Sequence, residues 1–254
     1  MISKNQVKLI RSLELKKNRK REQLFVAEGP KVVGDLLRAG YTAYALFSTT
    51  AWAEAEPLAA TATADVTFVT PDELQRISFL QHPQEVLGVF HIPDEPADDI
   101  VTATWPKGKI ALALDGVQDP GNVGTIIRIA DWFGIDTIYC SLDTADVYNP
   151  KVVQATMGSL AHVHIFYCSL EKLLAQVACP VYGTLLDGEN IFSQPLSKEG
   201  IIVMGNEGNG ISPEIRQLIT HRLLIPSFSV SSERAESLNV AIATAITCSE
   251  FRRR

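Results

Sequence analysis

Apolar positions along the chain follow two periods, and each predicts a different element. Val7, Ile10 and Leu13 recur at helical spacing, so the N-terminal stretch reads as an amphipathic helix. Short apolar runs at 24–27, 44–47, 66–69 and 87–92 read as strands, and 31–38 reads as a helix that stops at Gly40. Thr70-Pro71-Asp72-Glu73 carries helix-start chemistry: a cap, a proline in the first turn and acids near the positive dipole end. Strands alternating with helices predict a small α/β domain.

Pro93-Asp94-Glu95-Pro96-Ala97-Asp98-Asp99 breaks the pattern, being acidic, proline-rich and poor in apolar residues. It predicts a domain at 1–96, a linker at 97–107 and a second domain at 108–254. The second domain opens with a continuous apolar run at 110–114, as a strand buried on both faces requires. Further strands are expected at 137–140, 162–167, 181–185, 201–204 and 223–225, and helices at 123–133, 152–159, 170–177, 213–219 and 236–251. No internal repeat is visible. The predicted class is α/β throughout.

Three segments of the second half combine a strand or helix boundary with polar residues. The first runs from Leu114 through Asp115-Gly116-Val117-Gln118-Asp119-Pro120-Gly121-Asn122 into a helix that carries Arg128. Such a loop lies at the C-terminal edge of a parallel sheet, where ligands collect. Ile126, Ile129, Ala130 and Phe133 form the apolar stripe of that helix, and Arg128 falls off it. Asn122 is placed to cap the helix, and an ordinary loop with a solvated arginine reads equally well from these residues alone. The second segment is Gly205-Asn206-Glu207-Gly208-Asn209-Gly210 after an apolar strand. Its spacing does not match the dinucleotide fingerprint G-x-G-x-x-G. Glu207 would repel a phosphate, so a cationic or hydroxyl-bearing ligand fits better. The third segment follows Ile225-Pro226 and a serine-rich stretch, where Ser237-Leu238-Asn239-Val240 opens a helix that is small and apolar on nearly every side. Such a helix is buried on more than one face, as at a subunit interface. Asn239, if buried there, requires hydrogen-bond partners and could equally pin a core helix.

Charge refines the picture. The net charge is −6, but residues 1–22 hold eight Lys or Arg against Glu14 and Glu22, a local +6 that leaves −12 on the remainder. A local basic surface on an acidic body follows, which serves RNA contact or simply solubility. The hydrophobic fraction of 46% supplies a packed core and argues against disorder. Cys140, Cys168, Cys179 and Cys248 form no C-x-x-C pair and read as buried hydrophobes in a reducing compartment. No apolar run approaches membrane-spanning length and the start lacks a signal-peptide core, so the expected location is cytoplasmic. His162 and His164 share a strand face without further ligands, so no metal site is expected, and no G-x-S-x-G elbow is present.

Taken together and in order, the three segments resemble the three motifs of the SpoU (TrmH-type) branch of the SPOUT RNA methyltransferases, across residues 108–254. The N-terminal part resembles the ribosomal-protein-like substrate-binding domain of ribosomal RNA members, chiefly at Phe25-Val26-Ala27-Glu28-Gly29. The stretch 227–235 is longer and more polar than in many relatives. The resemblance implies a parallel sheet with a deep trefoil knot, a homodimer formed through the C-terminal domain, and methylation of a ribose 2′-oxygen with S-adenosylmethionine. It assigns Arg128, Asn122, Glu207, Ser237 and Asn239 to the catalytic site. It assigns Thr184, Leu185, Gly205, Asn206, Gly208, Ile225, Pro226 and Leu238 to the cofactor. Lys16, Lys17, Arg19, Lys20, Arg21 and Arg128 are expected to face RNA, ribosomal RNA ahead of transfer RNA. The alternatives are a transfer-RNA enzyme, a non-catalytic RNA-binding assembly factor on the same fold, and a nicotinamide-dependent oxidoreductase, which the broken fingerprint disfavours.

Overall fold

The fold is that of a computed structural model, which describes residues 2–59, 65–93, 108–229 and 236–253. The proposed linker at 97–107 and most of the serine-rich stretch lie outside them. Contacts divide the chain into two units, Met1–Asp94 with Asp146–His162, and Glu95–Ala145 with Val163–Arg254.

The first unit is built on a four-stranded sheet in the order β1 (Leu24–Glu28), β4 (Val86–His91), β2 (Ala43–Ser48), β3 (Asp65–Phe68). β4 is antiparallel to both neighbours, while β2 and β3 are parallel. The basic start forms two helices, α1 (Lys4–Ser12) and α2 (Lys16–Glu22). Ser3 and Gln6 make a capping box at the start of α1. Ile10 and Leu13 pack with Leu74 and Ile77 of α5 (Pro71–Ile77) over Leu24, Val26, Phe47, Leu87 and Val89. The start of α5 carries the cap, proline and acids expected from sequence, and Thr70 and Glu73 form a reciprocal capping box there. Between β1 and β2 runs α3 (Pro30–Arg38), and α4 (Thr50–Ala55) follows β2.

Residues 146–162 were expected within the second domain, yet they pack with the first unit. This segment contains α7 (Pro150–Ala155). Tyr148 lies 4.9 Å from Phe25 between ring centroids, and the Tyr41 hydroxyl donates to Leu160 O at 3.2 Å. Aromatic burial of this kind, reinforced by a hydrogen bond, holds the segment there.

The second unit is a six-stranded parallel sheet in the order β10 (His221–Leu224), β8 (Val181–Asn190), β9 (Gly200–Gly205), β5 (Ile110–Asp115), β6 (Thr137–Cys140), β7 (His164–Tyr167). β5 and β9 are buried at every position, which explains their uninterrupted apolar sequence. Ala111, Ala113, Val181, Ile201 and Val203 pack against α8 (Leu170–Gln176) and α9 (Pro213–Arg216). Two longer helices, α6 (Pro120–Trp132) and α10 (Val240–Arg253), lie together. The chain leaves β5 toward β6 and leaves β9 toward β10, so the strand order reverses between the adjacent strands β5 and β9. Open parallel sheets bind ligands beyond the strand ends at such a switch point.

Smaller expectations shift. His162 precedes β7 and does not share its face with His164. Cys140 and Cys248 are buried and the other two cysteines half-buried, and burial pushes the Cys248 thiol up to about 12. Among the described residues no group of metal-ligating side chains forms, and no helix is long and apolar enough to cross a membrane.

Candidate active site

The switch point brings the three polar segments together. Asp115 and Gly205 are register partners at the ends of β5 and β9, so the loops that follow emerge side by side. Asn206 shapes both: Nδ2 donates to Gly116 O at 2.7 Å, and Oδ1 accepts from the Gly208 and Asn209 amides at 2.9 and 3.0 Å. An added Cβ at Gly205 would lie 2.3 Å from Gly210 C and from Ile211 N, so only glycine lets the loop fold back this closely.

Glu207 is then aimed at the first loop. Oε1 accepts from the Asp119 amide at 3.1 Å and from Asn122 Nδ2 at 2.9 Å, and Oε2 accepts from the Gln118 amide at 3.2 Å. Burial raises the Glu207 carboxyl, but Asn122 and the backbone amides of Glu207, Gln118 and Asp119 outweigh it and hold it below the ordinary carboxylate range. The third segment closes the network: Asn239 Nδ2 donates to Asn122 Oδ1 at 2.9 Å, while Asn239 Oδ1 accepts from the Ala241 and Ile242 amides and caps α10. Asn239 is exposed, not buried, and its partners orient it. The start of α6 therefore bonds the Glu207 carboxylate directly, and the start of α10 is joined to it through Asn122. At the far ends, Arg252 donates to Phe133 O and Gly134 O, holding the two helices parallel.

The cap of α6 is Asp119, which accepts from the Asn122 amide at 2.8 Å, with Pro120 at the first helical position. This corrects the assignment of Asn122 as the cap and frees its side chain to bridge. Asp115 was also missed; its Oδ2 accepts from the Ser212 amide at 2.7 Å and ties β5 to the start of α9. The only sequence signal for Asp119 was the proline that follows it.

Arg128 stands on the exposed face of α6 and makes no hydrogen bond or ion pair among the described residues. Asn122, Glu207 and Asn239 bond one another rather than the guanidinium. Ser237 is exposed in the turn before Asn239 and forms no bond with these three. One turn beyond Arg128, Trp132 is 84% exposed, and Ile242 on the neighbouring α10 is 53% exposed.

Of the residues expected around the cofactor, Thr184 and Leu185 lie in β8, Gly205 ends β9 with Asn206 and Gly208 in the loop after it, Ile225 and Pro226 follow β10, and Leu238 lies just before α10. β8 leaves its ladder after Gly183, which pairs with Arg222, and rejoins at Glu189, which pairs with Leu223. Residues 184–188 thus have no strand partner in that ladder. Leu185 is buried, Leu186 is exposed, Ile225 and Pro226 are half-buried, and Leu238 is exposed. Leu185, Leu186, Ile225, Pro226 and Leu238 offer aliphatic surface and residues 184–188 backbone groups not paired with β10, a lining that would suit an uncharged heterocycle, while Asp187 in the same stretch is paired with Arg216 and Arg222. Within the expected set, Asn206 and the Gly208 amide are taken up in shaping their own loop.

Of the cations expected to face RNA, Lys16, Lys17, Lys20 and Arg21 are exposed on α2. Arg19 is not. It is 2% exposed and paired to Asp146, so its guanidinium is committed within the fold.

Residues 109–249 match the model of the SpoU rRNA Methylase family, and residues 4–88 match that of the MRM3-like substrate binding domain. The chain is 32% identical to the 23S rRNA (guanosine(2553)-2′-O)-methyltransferase RlmP of Bacillus subtilis, over 70% of this chain and 68% of that one. Among solved structures it is similar to a protein of the TrmH family from Porphyromonas gingivalis (TM-score 0.88, 45% identity, 100% and 99% of the two chains covered). It is also similar to the AdoMet-bound rRNA methyltransferase of Sinorhizobium meliloti (TM-score 0.87, 33% identity, 100% and 97% covered). With its three polar segments joined at the switch point and a family match over more than half its length, this chain belongs to the SpoU rRNA methylase family.

Proposed function

We propose that the protein transfers a methyl group from S-adenosylmethionine to a ribose 2′-oxygen of ribosomal RNA, releasing S-adenosylhomocysteine, with the hydroxyl proton passing to solvent. The observation that carries this reading is the Glu207–Asn122–Asn239 network, which joins all three family motifs at the sheet's switch point. The relatives named above supply the RNA class.

When bound, the cofactor supplies an electrophilic methyl on a sulfonium. Thr184, Leu185, Gly205, Ile225, Pro226 and Leu238 would hold it, through backbone groups and aliphatic contact, with Asn206 and Gly208 keeping the loop in shape. A deep trefoil knot in this region is part of the proposal. The tight seat of Gly188, whose added Cβ would lie 2.6 Å from Leu223 C, is in keeping with one segment packed closely beside another. Arg128 is the catalytic residue. A guanidinium with a pKa above about 12 is a poor base, so it holds phosphate and stabilises charge developing on the ribose oxygen. Asn122, Glu207 and Asn239 are positioning residues that fix the start of α6, and Ser237 lines the turn that presents Asn239. Alignment of the reacting oxygen with the methyl group supplies much of the acceleration, roughly 7–11 kcal/mol in well-oriented systems.

Lys16, Lys17, Lys20 and Arg21 provide the phosphate-binding surface of a substrate-binding domain at 1–96, joined through 97–107 to a methyltransferase domain at 108–254. Two copies would pair through the face of α6 and α10, a reading supported by the exposed Trp132 and Ile242 on these adjacent helices. The proposed location is cytoplasmic. Incubation with labelled S-adenosylmethionine and ribosomal RNA from cells lacking the gene tests the reading: label in an alkali-resistant linkage supports it, and RNA binding without turnover identifies an assembly factor instead.

A further inference from the structure

We propose that Arg19 is a positioning residue for methyl transfer, acting through Asp146 on the loop that opens α6. The inference rests on the function proposed above and adds a route by which RNA docking on α2 reaches the catalytic helix.

Arg19 lies among exposed cations, yet it is buried and makes four hydrogen bonds. Nη1 donates to Leu13 O and Glu14 O at 2.7 Å each, and Nε and Nη2 donate to Asp146 Oδ2 at 3.1 and 2.5 Å. Removing a guanidinium from water is costly, and an apolar side chain of similar volume is often as good for stability. A buried ion pair in the middle of a phosphate-binding helix therefore calls for a role besides packing.

Asp146 supplies that role by its place in the chain. It follows Ala145, whose amide donates to Val117 O at 2.9 Å and whose carbonyl accepts from the Tyr167 hydroxyl at 2.5 Å. The preceding residues are fastened to the same stretch. The Ser141 amide and the Thr144 hydroxyl both donate to Leu114 O, at 3.0 and 2.9 Å, and the Gly116 amide donates to Ser141 Oγ at 2.8 Å. Residues 141–145 are thus bonded along 114–117, the approach to Asn122 and Arg128. Arg19 fixes the end of this brace. The lysines on either side bind phosphate, and any shift of α2 on binding pulls on Asp146 directly.

The test uses the full-length protein with Arg19→Lys, Asp146→Asn, and the reciprocal double variant Arg19→Asp with Asp146→Arg. kcat and KM are measured with ribosomal RNA, alongside RNA affinity, S-adenosylmethionine affinity and the thermal midpoint. Hydrogen exchange at residues 116–122 is followed with and without RNA. The expected result is a fall in kcat of about tenfold in each single variant with RNA affinity held within about twofold. Partial recovery of kcat is expected in the double variant, with RNA-induced protection of 116–122 present in the wild type and lost in Asp146→Asn. An unchanged kcat with a lower thermal midpoint would overturn the proposal in favour of a purely structural pair, and so would RNA affinity falling while kcat holds. Absence of methyl transfer in the wild type would count against the underlying function, while the exchange measurement still decides whether the brace responds to RNA.

Discussion

Glu207 and Asn122, 85 residues apart in the chain, meet side chain to side chain at 2.9 Å, and the carboxylate also accepts two amides from the loop before α6. The arrangement sets the start of the helix that carries Arg128. The Glu207 carboxyl is held below its ordinary value, so the network's contribution is fully present above the ordinary glutamate range. It is lost as pH falls through the lowered value.

Glu207→Gln keeps one acceptor oxygen but not the charge. Misplacement of a reacting group by an ångström can cost about 100-fold, so kcat is expected to fall by about that factor. S-adenosylmethionine affinity in the wild type should weaken only at acid pH, whereas the variant should show no such transition. A titration of cofactor binding from neutral to acid pH measures both; a transition that persists in Glu207→Gln would assign it to another group.

Arg128 has no partner among the described residues, so Arg128→Ala should leave thermal stability unchanged. Loss of a preorganised charge at a developing oxyanion costs about 100- to 1000-fold in kcat. Arg128→Lys retains the charge without the bidentate fork and should keep part of the activity. Complete loss in both variants with RNA binding intact would argue for a proton-accepting role.

Two glycines of one loop should behave differently. Gly205→Ala drives a Cβ into the backbone of Gly210 and Ile211, so a cost of at least about 1–3 kcal/mol and loss of cofactor affinity are expected. At Gly208 an added Cβ meets, among the described residues, only Asn206 Oδ1 at 3.6 Å, an ordinary contact, and Gly208→Ala should be tolerated. Thermal denaturation and cofactor titration of the two variants check the contrast.

Trp132→Ala should weaken self-association, by about 30-fold or more if the indole anchors the interface. Sedimentation equilibrium across a range of protein concentrations reads the change directly. An unaltered dimer would place the interface elsewhere.

Much of this fold could be read from pattern alone. The unbroken apolar runs of β5 and β9 marked central parallel strands, and 137–140 coincides with β6. The last helix was expected from 236 with Asn239 inside it, yet α10 begins at Val240, because Asn239 turns its side chain back to accept from the Ala241 amide and so caps the helix. Other features depend on distance in the chain. Burial of Arg19 requires Asp146, 127 residues away, so a run of cations gave no hint that one of them faces inward. β8 extends to Asn190, beyond the expected 185, because it re-pairs with β10 after a detour that no local periodicity records. Leu15 separates α1 from α2, and a helical period spanning 7, 10 and 13 shows no such break.

Mapping methyl transfer decides whether this chain is a ribose methyltransferase of ribosomal RNA. Purified protein, labelled S-adenosylmethionine and ribosomal RNA from cells lacking the gene should yield label at one nucleotide, in a linkage resistant to alkaline cleavage, and Arg128→Ala should slow its appearance about 100- to 1000-fold while still binding cofactor. Label on a base, label only on transfer RNA, or a protein that does not bind S-adenosylmethionine would contradict this reading.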